Sequence, residues 1–353
     1  MIKHNKPGID PNDINSVIDV LKSGWIVQGE KVEALEKKMA RFLGQTLKGV
    51  AVSNGTSALF LALHCLNVGK GDEVIVPTYA CTALLNAIFL SDAVPVIVDV
   101  DLYSFNICVE EIKKKITSRT KAIIVPHIFG VPADIQTIIK FGIPVIEDCA
   151  QSIGAKVNHQ PVGTFGDIGI FSFYASKMIT SGYGGMMVSK KKHLTEKAID
   201  FRQFDCRKAY KPRFNIQLSD IHASLGLSQF NRLDGFIETR RTIANRYIAN
   251  LKKRTNEIDL QARDQNIESV FYRFVIRAST NNIARIKETF FKNGIETIVP
   301  IENYELLHQY LKLDESNFPN AEKISVTTLS IPIYPGLKES EIKRIESTLS
   351  RLS

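Results

Sequence analysis

The stretch from Lys121 to Ala155, KAIIVPHIFGVPADIQTIIKFGIPVIEDCAQSIGA, holds two short apolar runs, KAIIVP (Lys121 to Pro126) and PVIED (Pro144 to Asp148). Neither run alternates apolar with polar residues, as a strand with one wet face would. A strand that is apolar throughout is expected where helices cover both faces, which is the environment of a parallel sheet. The second run ends in two acids, Glu147 and Asp148. In open α/β sheets ligands bind outside the carboxyl ends of the strands, so a carboxylate emerging there can reach a ligand. An Asp at this place reads equally well as a helix cap.

The same pattern extends in both directions. Upstream lie GVAVS (Gly49 to Ser53), EVIVP (Glu73 to Pro77) and VPVIVDV (Val94 to Val100), with helical patterns between them. Downstream, DIGIFSF (Asp167 to Phe173) and GGMMVS (Gly184 to Ser189) flank a polar turn that contains Lys177. From Ser219 to about Lys253 the spacing predicts a long helix or helix pair. The remainder, with FYRFVIRA near Phe271 and a helical Ile283 to Asn293, reads as a smaller α+β unit. The expected class is α/β: a large, mostly parallel-sheet domain over residues 1–233 and a smaller C-terminal α+β domain over 234–353.

With 353 residues, 44% of them hydrophobic, the chain can bury a sizeable core. No apolar run approaches the roughly 20 residues that span a bilayer, and the start MIKHNKPGIDPND lacks a signal peptide's apolar centre. The cytoplasm is the expected compartment, with no membrane partner. The five cysteines are odd in number and scattered, without a CxxC pair, so reduced thiols and no metal site are expected. A formal charge of +8 raises the question of nucleic acid. The basic clusters at Lys113 to Lys115, Lys190 to Lys192 and Arg207 to Arg213 are separate and lack aromatic interleaving, which argues against a nucleic-acid partner.

Three segments carry candidate chemistry. Ser53-Asn54-Gly55-Thr56-Ser57 ends a strand and opens a helix, where free amides, the positive helix end and hydroxyls make a phosphate site; a plain N-cap is the alternative. Asp148, followed by Gln151, follows the strand PVI, and an Asp against a pyridinium nitrogen keeps such a ring protonated. Lys177, in FSFYASK with TSGYGG after it, sits among small residues that would let it be desolvated and attack an aldehyde, though most lysines are simply exposed charges. Only the three together, in this order on one sheet, set Lys177 apart.

In these segments the chain resembles the DegT/DnrJ/EryC1/StrS family of sugar aminotransferases, which have the aspartate-aminotransferase fold (fold type I). The resemblance runs nearly end to end, from SGWIVQGEKVEALEKKMARFLG through AVSNGTSALFLAL, GDEVIVPTYACTALLNAI, IPVIEDCAQSIGA and FSFYASKMITSGYGGM to FNIQLSDIHASLGLSQFNRLD and LSIPIYPGL. It implies a pyridoxal 5'-phosphate cofactor, with pyridoxamine 5'-phosphate as the intermediate form, bound as a Schiff base on Lys177. By the same resemblance Asp148 contacts the pyridine nitrogen, Gln151 lies near the ring oxygen, and Gly55, Thr56, Ser57 and Ser172 hold the phosphate. Asn215 matches an asparagine that reaches the neighbouring subunit's cofactor phosphate, which implies a homodimer with shared active sites.

Several positions depart from the family pattern. Cys81, with Tyr79 two residues earlier, stands where many members carry an aromatic that stacks on the ring. Tyr174, Tyr183 and Gln217 replace a histidine or phenylalanine, an acid and a basic residue. The implied activity moves an amino group from L-glutamate or L-glutamine to a keto sugar, nucleotide-linked by resemblance. Alternatives are a sugar dehydratase or epimerase on the same fold, disfavoured because Lys177 is retained, or a regulatory member without turnover. Trp25, Tyr183 and His308 are candidate acceptor contacts, although Trp25 reads equally as a packing residue and His308 as a surface one.

Overall fold

The computed structural model describes residues 1–44, 47–252 and 258–352. Helices α1 (Pro11–Ser23) and α2 (Glu30–Leu43) precede β1 (Lys48–Val52). Helices and strands then alternate as α3 (Gly55–Cys65), β2 (Glu73–Pro77), α4 (Ala83–Leu90), β3 (Val94–Val98), α5 (Val109–Lys115), β4 (Thr120–Pro126), α6 (Ile135–Ile138) and β5 (Val145–Asp148). A short hairpin, β6 (Lys156–Val157) and β7 (Gln160–Pro161), leads to β8 (Ile168–Ser172) and β9 (Gly185–Ser189). Helices α7 (Lys192–Arg202), α8 (Asp220–Phe230) and α9 (Leu233–Lys252) follow. The C-terminal part holds β10 (Asp259–Leu260), β11 (Ile267–Glu268), β12 (Phe274–Arg277), α10 (Thr280–Lys292), α11 (Leu307–Tyr310), α12 (Pro319–Thr327), β13 (Thr328–Ile331) and α13 (Glu339–Leu349).

The large sheet has the order β1-β9-β8-β5-β4-β2-β3. Only β9 runs against its neighbours, pairing antiparallel with β1 and β8, and the remaining pairings are parallel. The continuous apolar runs have the physical cause expected of them. Ala122 and Ile124 of β4 join a core with Ile146 and with Leu59, Leu84 and Ala198 of α3, α4 and α7. Ile123 and Val125 join a second core, on the other face, with Val145 and with Leu35, Met39 and Ala223 of α2 and α8. Both faces of the sheet are therefore covered.

The helix pair expected from Ser219 is α8 and α9; its expected end at Lys253 lies outside the described residues. Helix α9 is shared between cores. Leu233 and Ile237 belong to the second core, while Ile243 and Tyr247 belong to a third, formed with β12, β13, α10 and α13. The expected boundary at Leu233 falls on the first residue of this shared helix. The third core also takes in Ile2, which bridges to Ile295, so the N-terminus packs with the C-terminal part. Among the described residues no helix is long and apolar enough to cross a membrane.

Candidate active site

The parallel strands direct their carboxyl ends to one edge of the sheet, and the turns leaving β1, β2, β4, β5 and β8 enclose a cavity of about 610 Å³. Among its lining residues one is acidic, Asp148, and one is basic, Lys177. The rest of the wall is largely apolar or carries hydroxyls and amides, as in a ligand pocket with a few polar groups.

At the end of β1, Asn54 caps α3 by accepting from the Ser57 amide at 2.8 Å, and its carbonyl accepts from Ala58. The Gly55 and Thr56 amides have no acceptor among the described residues. A Cβ on Gly55 would lie 3.0 Å from Ser172 Cβ, so this glycine lets the helix start close over the end of β8. Helix terminus, free amides and the side chains of Thr56, Ser57 and Ser172 thus meet at one end of the cavity.

At the end of β5 the two acids part. Asp148 lines the cavity, and one of its oxygens accepts from the Ala150 amide at 2.9 Å. Burial pushes its carboxyl above the ordinary range, opposed by that amide, by Lys177 and by His127. Glu147 is fully buried and takes four donors: Phe165 and Gly166 amides on Oε1, the Gly163 amide and His127 on Oε2. The Ala133 amide donates to His127 Nδ1, so it is Nε2 that carries the hydrogen aimed at Glu147. Glu147, His127 and Cys149 approach within 4.8 Å of one another, but the Glu147 oxygens and both ring nitrogens are already hydrogen-bonded.

Gln151 also lines the cavity, with Oε1 held by the Phe129 amide at 2.9 Å, which leaves its NH₂ group for a ligand. Lys177 lies beyond β8, its backbone amide turned onto the Tyr174 carbonyl, and its Nζ makes no hydrogen bond among the described residues. Cys81 is exposed and lines the wall after β2. Tyr79 cannot stand in for it, because it is wholly buried against Phe105 and Phe129.

Two candidate acceptor contacts are not brought to the cavity. Trp25 is exposed, its indole N–H bonded to the Gln28 carbonyl, and lies outside the lining. His308 is neither on an open loop nor on the surface: it is completely buried, between Thr78 at 2.6 Å and Glu322 at 2.8 Å, and stacked on Phe318. Tyr183 does line the cavity. Asn215 does not, although its neighbours Phe214 and Ile216 do; it is exposed.

The description of the DegT/DnrJ/EryC1/StrS aminotransferase family matches residues 7–350. The chain belongs to this family. It is 33% identical to the GDP-perosamine synthase of Vibrio cholerae over 98% of this chain and 97% of that one. It is 35% identical to the UDP-N-acetyl-3-dehydro-alpha-D-glucosamine 3-aminotransferase of Acidithiobacillus ferrooxidans, over 94% and 91% of the two chains. A Streptococcus pneumoniae protein described as a sugar aminotransferase, in its pyridoxamine phosphate form, superposes with a TM-score of 0.92 at 27% identity, covering 99% of this chain and 96% of that one. The pyridoxal phosphate form of the same protein gives 0.90 at 26% identity, covering 99% and 97%. The fold is accordingly fold type I, the activity that of a sugar aminotransferase, and the cofactor pyridoxal phosphate, with pyridoxamine phosphate as its other form.

Within the family frame three of the four departures lie by β1, β8 and β9, while Cys81 lies after β2. Tyr174 and Tyr183, both half-exposed, meet edge to face at 5.5 Å on the cavity wall. Gln217 pairs with Val52 at the start of the phosphate-side turn. Tyr272, whose ring lies beside Lys177, and the 127–130 turn that holds Gln151 also belong to the site, without a signal in the local sequence. FYRFVIRA reads as a strand, and no local feature of it points to a lysine about a hundred residues away.

Proposed function

We propose that this sugar aminotransferase moves an amino group from L-glutamate or L-glutamine to a nucleotide-linked keto sugar, in amino-sugar biosynthesis for a surface polysaccharide or a secondary metabolite. One observation carries the reading: a single amine and a single carboxylate share a cavity whose end is a helix N-terminus with free amides. Pyridoxal phosphate supplies there an aldehyde that takes up the amine nitrogen and a ring that withdraws electrons from the donor's α-carbon.

The residues present fit that group. The Gly55 and Thr56 amides, with the hydroxyls of Thr56, Ser57 and Ser172, would hold the phosphate. Asp148 would pair with the ring nitrogen: its carboxyl is pushed up by burial, and a protonated nitrogen in contact would restore its charge. Gln151 would donate to the ring oxygen, and Cys81 would lie over the ring face. Lys177 would anchor the cofactor covalently. Once displaced by the donor, its Nζ takes the proton from the α-carbon and delivers it on, serving first as base and then as acid.

The GDP- and UDP-sugar names of two relatives support a nucleotide-linked acceptor. Tyr183 would contact that acceptor. Leu90, Tyr183 and Phe214 line the cavity while 64%, 60% and 52% exposed, an apolar rim that a second copy would cover, with Asn215 reaching the partner's phosphate. This homodimer would work in the cytoplasm. The test is chemical: borohydride reduction of the purified protein, then peptide mass spectrometry, should place the cofactor on Lys177. Glutamate or glutamine should bleach the unreduced chromophore, and Lys177→Ala should lose both signals. A cofactor fixed elsewhere, or a chromophore that neither donor changes, would overturn the assignment.

A further inference from the structure

Lys177 has a second neighbour that the reaction scheme leaves unused. Its Nζ lies over the ring of Tyr272, 5.4 Å from the centroid. Tyr272 comes from the C-terminal part, between β11 and β12, and is 7% exposed. Its position is imposed from several sides. Gly130 has φ +87°, and a Cβ there would meet the Tyr272 nitrogen at 2.9 Å. The flanking Val270 and Arg273 amides donate to the carbonyls of Gly130 and Phe129 at 3.2 and 3.4 Å, and Arg240 donates to the Tyr272 carbonyl at 3.1 Å. The Phe129 amide in turn holds Gln151. Ring and cofactor cavity therefore belong to one frame.

The surroundings of this ring are cationic. Burial pushes its phenol up, yet Lys177, Arg273, a hydrogen bond with Ser176 and Arg240 together bring it below the ordinary value. Arg273 itself stacks over Tyr272 with its guanidinium 5.6 Å from the centroid. Among the described residues the face that receives Lys177 makes no hydrogen bond or ion pair with its Nζ. What it offers is the negative potential of an aromatic face, which attracts a desolvated ammonium.

We propose that the ring face of Tyr272 is the seat of the Lys177 ammonium formed once the displaced Nζ has taken the donor's α-proton, keeping that proton within reach of the carbon that receives it. Tyr272 is thus a positioning residue that acts through Lys177. The inference rests on the reading of Lys177 as the anchoring lysine. The seat matters only while the lysine is free, so it should govern the rate of the donor half-reaction at saturation and leave the half-saturating donor concentration unchanged.

The test varies the ring's electrostatics at constant shape. Tyr272→Phe keeps the ring face and should stay within about twofold of the natural protein, whereas a trifluorinated phenylalanine at this position, with its face drained of charge, should slow the saturated donor half-reaction by about tenfold. In cofactor-free protein the same replacement should speed acylation of Lys177 at neutral pH, read by mass spectrometry, by about tenfold, because the ring face no longer holds its Nζ. Equal behaviour of the phenylalanine and its fluorinated form would overturn the seat. So would a tenfold loss in Tyr272→Phe, which would move the effect to the hydroxyl. Borohydride trapping away from Lys177 would instead overturn the anchoring role, while acylation of the cofactor-free protein still reports the contact itself.

Discussion

Glu147 and Asp148 are adjacent acids on β5, yet they belong to different regions of the molecule. Strand side chains alternate, so Glu147 lies on the side of Val145, in the core covered by α2 and α8, and Asp148 on the side of Ile146, where the cavity opens beneath α3 and α4. Glu147 meets four donors fixed by the backbone of residues 163–166 and by His127. Asp148 meets one amide. A buried carboxylate with all its positions filled organises the loop around it, whereas one with an oxygen to spare costs free energy until a ligand arrives. The first holds β5 to the turn before β8; the second is poised for chemistry.

The largest effect should come from Glu147→Gln. Either orientation of the amide points its NH₂ group at two donors, since each Glu147 oxygen already accepts two. His127 cannot relieve the conflict by changing tautomer without losing the Ala133 amide. Unfolding in urea should show a loss of about 2–6 kcal/mol, two buried donors left without an acceptor at about 1–3 kcal/mol each. Activity per folded molecule should stay within a fewfold of the natural protein. A stable Gln variant would show that the four contacts are dispensable and that the two acids do not differ in kind.

Asp148→Asn should do the reverse. The amination rate should fall on the order of a hundredfold or more, comparable with removing one preorganised electrostatic partner. The cofactor-free protein should be no less stable at neutral pH, because a carboxylate disfavoured by burial has been removed. The sign follows from linkage. An acid whose folded pKa lies above its unfolded value contributes stability that is full below the unfolded value and is lost as pH rises through the folded one. The natural protein should therefore lose stability relative to Asp148→Asn from the ordinary carboxylate range upward. Melts of both cofactor-free proteins across mildly acidic to neutral pH would reveal this, and a gap that widens in the other direction would mean that Asp148 is stabilised as a charge without any ligand.

This pair also marks how far the sequence is legible. The run PVIED identifies a buried strand ending in acids, because burial on both faces leaves an unbroken apolar signature. The period of two places Glu147 and Asp148 on opposite faces. Which face carries the cavity is decided by the packing of α3 and α4, and no local signal contains that. The phosphate-side turn is legible because its cap, glycine and hydroxyls are consecutive. Lys177 is legible through its order relative to those segments and through family resemblance. His308 and Tyr272 are not: the first is buried by Thr78, Glu322 and Phe318, the second set beside Lys177 by Gly130 and Arg240, all through contacts between separate parts of the chain.

The smallest effect belongs to Gly55→Ala, and it asks whether the ligand-poised side is as exactingly built as the Glu147 side. The backbone at Gly55 is not left-handed, so alanine meets no conformational barrier there. Its Cβ would lie 3.0 Å from Ser172 Cβ and 3.2 Å from Ser172 Oγ, tight enough that one element must give by a few tenths of an ångström. Helix α3 cannot simply retreat, because the Asn54 carbonyl before it already abuts Gly185 of β9, where a Cβ would come within 2.3 Å. The shift falls on the free amides and on Ser172. Folding stability should change by no more than about 1 kcal/mol, the span of a glycine-to-alanine exchange in a helix. Binding of pyridoxal phosphate, titrated by absorbance, should weaken by about tenfold, which is about 1.4 kcal/mol. If affinity is unchanged while Ser172→Ala weakens it, the hydroxyl carries the phosphate and the close approach of α3 serves packing alone. If both weaken it alike, amides and hydroxyl act as one cradle, and the cavity side depends on geometry as closely as the four bonds of Glu147 do.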